Sequence, residues 1–130
     1  MRAHVERELA AVSARIPELK LVVLATGDGR YLAGWFAQNR NGARISAIVS
    51  SLLAICETAG KELNGGRCTS AIVTADELNI VAIRLNALDR QLVLATAFTP
   101  DLMLGAAVRY SGDIGTKLLA AIQQSAKATT

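Results

Sequence analysis

The stretch ATGDGRYLAG, Ala25 to Gly34, decides the fold. Its three glycines suit either a loop that cradles a phosphate or a tight turn between two strands. A phosphate loop leads from a strand into a helix, whose N-terminal amides hold the anion. Here β-branched and aliphatic residues lie on both sides of the glycines, in LKLVVLAT before them and YLAGWF after them. The stretch therefore predicts a β-hairpin with Asp28-Gly29 at its turn.

Helical periodicity is found on both sides of this hairpin. Upstream, apolar residues recur at helical spacing over residues 3–16, and Pro17 ends this first helix. Downstream, the polar loop AQNRNGAR leads into a second helix, predicted from Ala43 or Arg44 to Leu63. Its apolar sector covers nearly half the circumference, which is more than one sheet face needs. One face carries Ile45, Val49, Leu52, Cys56, Ala59 and Leu63, with Ile48 and Ile55 on one shoulder and Leu53 on the other.

The second half of the chain is predicted to form three strands and a helix. Asn64 to Gly66 suits a left-handed helix exit, and the strand-like segments CTSAIVT, NIVAIRL and QLVLATAF follow, joined by short polar turns. A last helix is predicted from Leu102 to Gln124, with an inward side of Leu104, Val108, Ile114, Leu118 and Ile122.

The resulting order, α-β-β-α-β-β-β-α, predicts an α+β fold. Strands joined by short turns are antiparallel, so we expect one five-stranded antiparallel sheet with helices on both faces. This single domain is predicted over residues 1–124, followed by a flexible tail over residues 125–130.

Composition narrows the classes of partner. Fourteen basic against eleven acidic residues give a net charge of only +3, the basic residues are scattered, and aromatics make up 4%, so nucleic acid is not an expected partner. The longest apolar run, LVLATAF, is broken only by Thr96 and is too short to span a membrane. The charged N-terminus does not resemble a secretory signal, and two cysteines do not make a disulfide framework. We therefore expect a soluble cytoplasmic protein without membrane insertion. A hydrophobic content of 52% indicates apolar surface that a second copy covers.

The sequence offers no set of residues for catalysis or metal binding. His4 is the only histidine, and Cys56 and Cys68 are twelve residues apart on different elements, short of the four ligands that a zinc site needs. The stretch GDIGTK, starting at Gly112, has two residues between its glycines where a P-loop needs four, and ends in the wrong order. We expect no enzymatic activity of its own, no metal, no cofactor and no small-molecule substrate.

Four segments together resemble the Roadblock / dynein light chain family, in particular its bacterial MglB-like members: the GDGRYLAG hairpin, the helix ISAIVSSLLAICETAGKELNGG, the strand LVLATAF and the helix after TPDLMLG. The resemblance spans about Val5 to Ile122. It implies a homodimer in which the second helices pack antiparallel across a two-fold axis and the third strands pair into a ten-stranded sheet. The implied contact residues are Ile48, Ser51, Leu52 and Ile55 between the helices, and Cys68, Ser70 and Ile72 on the paired edge.

The same resemblance implies a function. Family members regulate or scaffold small Ras-like GTPases, without a catalytic residue of their own, and others tether motor complexes. We therefore expect a non-enzymatic homodimeric regulator or scaffold of a small GTPase, which docks on the face of the paired second helices. Arg44, Glu57 and Lys61 are the charged residues expected nearest this partner, and Trp35 and Phe36 either cover the core or form a binding anchor.

The alternative is a small-ligand sensor of PAS- or profilin-like architecture. Such a sensor needs a cavity that carries a few polar groups. The predicted inward residues are almost wholly aliphatic, which disfavours this alternative.

Overall fold

The computed structural model describes residues 2–87 and 89–128, which form helices and strands in the predicted order. The predicted α+β fold is confirmed. The elements are α1 (Arg2–Arg15), β1 (Leu19–Thr26), β2 (Tyr31–Phe36), α2 (Gly42–Glu62), β3 (Ser70–Thr74), β4 (Asn79–Ala87), β5 (Arg90–Phe98) and α3 (Leu104–Ala128).

The five strands form one antiparallel sheet in the order β2-β1-β5-β4-β3. In one cross-strand row Val23 pairs with Ala95, Ala95 with Ala82 and Ala82 with Ala71. The outermost strands are β2 and β3, and among the described residues each pairs with a strand on one side only. Because α1 and α3 cover one face and α2 covers the other, the helices lie on both faces as predicted.

The larger core lies between the sheet and the α1/α3 pair. It also holds a polar contact, because the hydroxyl oxygens of Thr96 on β5 and Ser111 on α3 lie 2.6 Å apart. The Ser111 hydroxyl lies 2.8 Å from the carbonyl oxygen of Ala107, and the Thr96 hydroxyl lies 3.3 Å from that of Val81, so one hydroxyl donates to its carbonyl and the other donates to the neighbouring hydroxyl. These bonds satisfy both buried hydroxyls and tie α3 to the sheet. The largest side chains of this core are Leu9, Leu24, Leu94, Phe98, Ile114 and Leu118.

The core under α2 is smaller and richer in alanine. Val49 and Leu53 are the apolar α2 residues that are buried there, so Leu53, predicted on a shoulder, is instead a central inward residue. The prediction that Leu63 points inward is wrong, because this residue lies one position beyond the end of the helix and is 79% exposed. The predicted exit is confirmed, since Asn64 adopts the left-handed region at φ 55°. Four alanines belong to this core: Ala25, Ala71, Ala82 and Ala95.

The predicted hairpin is confirmed, and Asp28 and Gly29 lie in the four-residue loop that joins β1 to β2. Arg30 donates its N–H to the Thr26 hydroxyl at 2.9 Å, and Thr26 donates its own N–H to the carbonyl of Arg30 at 2.8 Å. The Thr26 hydroxyl donates in turn to the Asp28 carboxylate, and this bond lowers the pKa of Asp28 below its usual value. Gly29 supplies the positive φ, at 98°.

The inward side of α3 differs from the prediction. Leu104 and Val108 are exposed, so their inward assignment is wrong, whereas the predicted Ile114, Leu118 and Ile122 are buried. Small residues at spacings of four, Ala107, Ser111 and Gly115, form the close approach to the sheet.

Gly115 shows why α3 contacts the sheet through small residues. A Cβ added there would lie 3.0 Å from Leu85 Cδ2 and 3.3 Å from Ile83 Cδ1, while one added at Gly112 would meet nothing within 4 Å. Thus Gly115 lets α3 lie against the sheet, and Gly112 has no such role.

Two predicted boundaries also shift. The third strand begins at Ser70 rather than Cys68, so Cys68 lies in the segment that precedes β3. The last helix continues to Ala128, so residues 125–128 of the predicted tail are helical. Residues 129–130 of that tail lie outside the described residues, and its flexibility stays a prediction.

Candidate functional site

An exposed apolar strip runs along α2 on the side away from the sheet. Ile48 and Ile55 are 59% and 67% exposed, and together with Ser51 and Leu52 they line a shallow depression. We call these four residues the α2 strip. They are the four that the family resemblance implies at a helix contact, and the structure brings them together on one surface. A continuous apolar surface of this kind is typical of a protein interface.

The outer edge of β3 is the second candidate contact. Within the described residues β3 pairs only with β4, and its exposed Ser70 and Ile72 lie on this free strand. Cys68, also predicted on the paired edge, precedes the strand and is half-buried. A strand with unpaired backbone groups is a template for pairing with another chain, so the geometry suits edge-to-edge pairing through β3.

A polar cluster that the sequence did not reveal joins α2 to the segment before β3. The Glu57 carboxylate accepts the N–H of Cys68 at 3.1 Å and lies 3.4 Å from Arg84 Nη2, which also donates to the carbonyl of Leu53 at 3.4 Å. Only 18% of the Arg84 side chain and 22% of the Glu57 side chain are exposed. Burial, together with the neighbouring Cys56 thiol, raises the pKa of Cys68. The Glu57 carboxylate is therefore engaged within the chain, and a lone arginine in an apolar strand was its only sequence signal.

The remaining candidate partner residues do not form one patch in a single chain. Arg44 is exposed in the first turn of α2 and Lys61 in the last, which separates their backbones by about 25 Å along the helix. Trp35 and Phe36 are both half-buried, Trp35 against the α1/α3 core and Phe36 against the α2 core. Neighbouring strand residues point to opposite faces, so the two rings cannot act as one anchor.

An apolar groove lies beside the N-terminal half of α2. It has a volume of about 460 Å³ and lies between this helix and the adjoining residues of β1, β4 and β5. We call it the α2 groove. Sequence reasoning missed it, because alanines in an apolar strand do not indicate whether a helix covers them. Its apolar lining includes Leu21, Ile45, Leu78, Ile80, Ala95 and Ala97, and Arg40 and Arg44 also line it.

Two further features of the described residues bear on metal binding and on membranes. No group of three or more His, Cys, Asp or Glu side chains that could hold a metal ion is found among them. Of the helices described, α2 is long and apolar enough, by length and composition alone, to cross a membrane. Its inner residues Val49 and Leu53 pack on the sheet, as in a helix of a folded domain.

Comparison with known proteins gives no match to any protein-family model and none to any curated protein. Solved structures do match. MglB, a gliding protein from Thermus thermophilus, aligns at a TM-score of 0.77 and 12% identity, over 95% of this chain and 91% of that one. A Roadblock/LC7 domain from Streptomyces avermitilis aligns at 0.73 and 18% identity, over 94% and 97%. An MglB described as having a tetrameric arrangement aligns at 0.75 and 16% identity, over 94% and 92%.

These likenesses show that the chain has the Roadblock fold in its MglB-like form, which confirms the resemblance found in the sequence. They cover nearly the whole of both chains, so the fold is shared from α1 to α3.

Proposed function

We propose that the protein is a non-enzymatic, homodimeric regulator or scaffold of a small Ras-like GTPase in the cytoplasm. The observation that carries the proposal is the α2 strip, an exposed apolar surface on a domain with the MglB-like Roadblock fold. In the proposed dimer the strips of two copies pack against each other, and the β3 edges pair into a ten-stranded sheet. The tetrameric arrangement given for one MglB structure supports self-association of this fold.

A dimer would also bring together the charged candidate residues Arg44 and Lys61, which lie at opposite ends of α2 in one chain. In an antiparallel helix pair the first turn of one helix lies near the last turn of the other. Arg44 of one copy would then lie near Lys61 of its partner, and the two-fold axis would give two such basic pairs on one face. This surface would position switch residues that the GTPase itself supplies, so no catalytic side chain is needed here.

The test is a titration of the protein into the small GTPases of its source organism, each loaded with GDP or with a non-hydrolysable GTP analogue. Calorimetry measures affinity, and single-turnover assays measure hydrolysis and exchange rates. We expect nucleotide-dependent binding to one GTPase, and weaker binding when Arg44→Glu is combined with Lys61→Glu.

Lys117→Glu is the control, because Lys117 is exposed on α3, on the opposite face of the sheet. It should leave the affinity unchanged. If no GTPase binds and no rate changes, the proposed function is wrong, whatever the oligomeric state.

A further inference from the structure

We propose that the α2 groove binds a free fatty acid, with the aliphatic chain against its apolar walls and the carboxylate at Arg40 and Arg44. This inference goes beyond the proposed regulation of a GTPase and does not depend on it. The fatty acid is proposed as a bound ligand, so the expectation that the protein has no small-molecule substrate is unchanged.

The shape and lining of the groove suit an aliphatic chain. Its volume of about 460 Å³ falls within the roughly 300–1,000 Å³ that small-molecule sites enclose. Ala95 and Ala97 give the groove a floor of short side chains, while Leu21, Ile45 and Ile80 add larger aliphatic side chains to its lining. A chain of CH₂ groups that binds there is transferred from water to an apolar surface, and each buried CH₂ group makes a favourable contribution to the free energy of binding.

The charges at the groove indicate an anionic head group. Ion pairs among the described residues join Arg2 to Glu6 and Arg84 to Glu57, so neither Arg40 nor Arg44 has a carboxylate partner there. A guanidinium matches a carboxylate with paired N–H donors, and both Arg40 and Arg44 line the groove.

The neighbouring depression has mixed charge. It is lined by Arg40 together with Lys20 and Glu77. The negative charge of Glu77 repels an anion bound at Arg40 and so weakens its binding.

A second copy of the chain fits the groove less well than a fatty acid. Ile48 belongs to both the groove and the α2 strip, so a partner copy would lie at the rim. However, residues 45–56, which form the centre of α2, contain no acidic residue, and the next one, Glu57, is engaged by Arg84. In the proposed antiparallel pair the partner's last turn, which lies nearest Arg44, carries Lys61 beside Glu62 and so offers no net negative charge there, whereas a fatty acid carries one at the end of its chain.

The experiment is calorimetric titration of the full chain with dodecanoate and, separately, with dodecanol. We expect dodecanoate to bind with one site per chain, and to bind roughly tenfold or more weakly to the Arg40→Gln/Arg44→Gln variant. Dodecanol, which keeps the chain and lacks the charge, should bind weakly to both. Glu77→Gln should tighten dodecanoate binding, and Ala97→Phe, which fills the groove, should abolish it.

Arg7→Gln with Arg15→Gln is the matched control, since it removes the same charge from exposed positions on α1. It should bind dodecanoate like the wild type. Equal binding of dodecanoate to the wild type and the Arg40/Arg44 variant would overturn the proposal, and so would equal binding of dodecanoate and dodecanol. Both arginines are exposed, so this variant tests the proposal even where Ala97→Phe does not fold.

Two further results would assign the groove to another occupant. If dodecanoate binds only after Ile55→Glu has produced a monomer, the second copy fills the groove. If the protein binds vesicles of anionic lipid and no dissolved dodecanoate, the surface recognises a membrane instead.

Discussion

Replacing Ile48 and Ile55 by glutamate should convert the proposed dimer into a monomer. Both side chains lie on the α2 strip and make up most of its exposed aliphatic surface. The change removes apolar area from the contact and brings four carboxylates to one symmetric interface, two from each copy.

The magnitude follows from the exposed fractions. Burying a whole isoleucine side chain contributes about 1.5–3 kcal/mol. With 59% of Ile48 and 67% of Ile55 exposed, each has roughly 1–2 kcal/mol left to gain in a contact. A symmetric dimer contains each residue twice, so the loss is about 4–8 kcal/mol. The lower value already weakens association roughly a thousandfold, before any cost of burying carboxylates.

Light scattering with sedimentation velocity at micromolar protein measures the result. We expect a dimer for the wild type and a monomer for the double variant, with unchanged circular dichroism because neither side chain contributes to the core. Met103→Glu is the control: Met103 is exposed just before α3, outside the α2 strip, so this variant should stay dimeric. A wild-type monomer, or a double variant that remains a dimer, would refute the reasoning.

Three further predictions concern folding. Gly115→Val should destabilise the fold by about 1–3 kcal/mol through overpacking, whereas Gly112→Ala should stabilise it by about 0.5–1 kcal/mol, and urea unfolding of the pair checks both signs. Thr96→Val and Ser111→Ala should each cost about 1 kcal/mol, and less together than their sum, because they share one hydrogen bond; a double-mutant cycle that shows full additivity would contradict this. Because the pKa of Asp28 is lowered in the folded state, its contribution is present above the usual aspartate pKa and is lost as the pH falls through the lowered value. Asp28→Asn should therefore show a smaller loss of stability in acid, measured as urea midpoints across that pH range.

Much of the fold could be predicted from local pattern. The hairpin follows from aliphatic segments on both sides of the glycines, and the exit of α2 follows from Asn64 and the glycines after it. The excess apolar surface of α2 was visible because large residues occupy more of its circumference than one sheet face can bury. In each case the deciding interactions lie within one element or between neighbours along the chain.

The features that the sequence did not reveal are built from small residues. Ala107, Ser111 and Gly115 mark the contact line of α3, but periodicity gives most weight to large side chains and so favoured Leu104 and Val108. A small residue is buried only when its neighbour approaches closely, and that approach depends on both partners. The α2 groove was missed for the same reason, since its alanines, Ala95 and Ala97, give no sequence signal of how closely α2 approaches the sheet.

The position of α2 links the two proposed interfaces. The helix covers part of its sheet face and leaves an apolar groove beside it, and its outer side carries the α2 strip. Ile48 borders both, so a fatty acid in the groove and a second copy on the strip would contact the same side chain. Binding linkage is reciprocal: if the ligand changes the dimerisation constant by some factor, dimerisation changes the ligand affinity by the same factor. The two proposals therefore describe one coupled surface, in which an apolar anion acts on the assembly that would bind the GTPase.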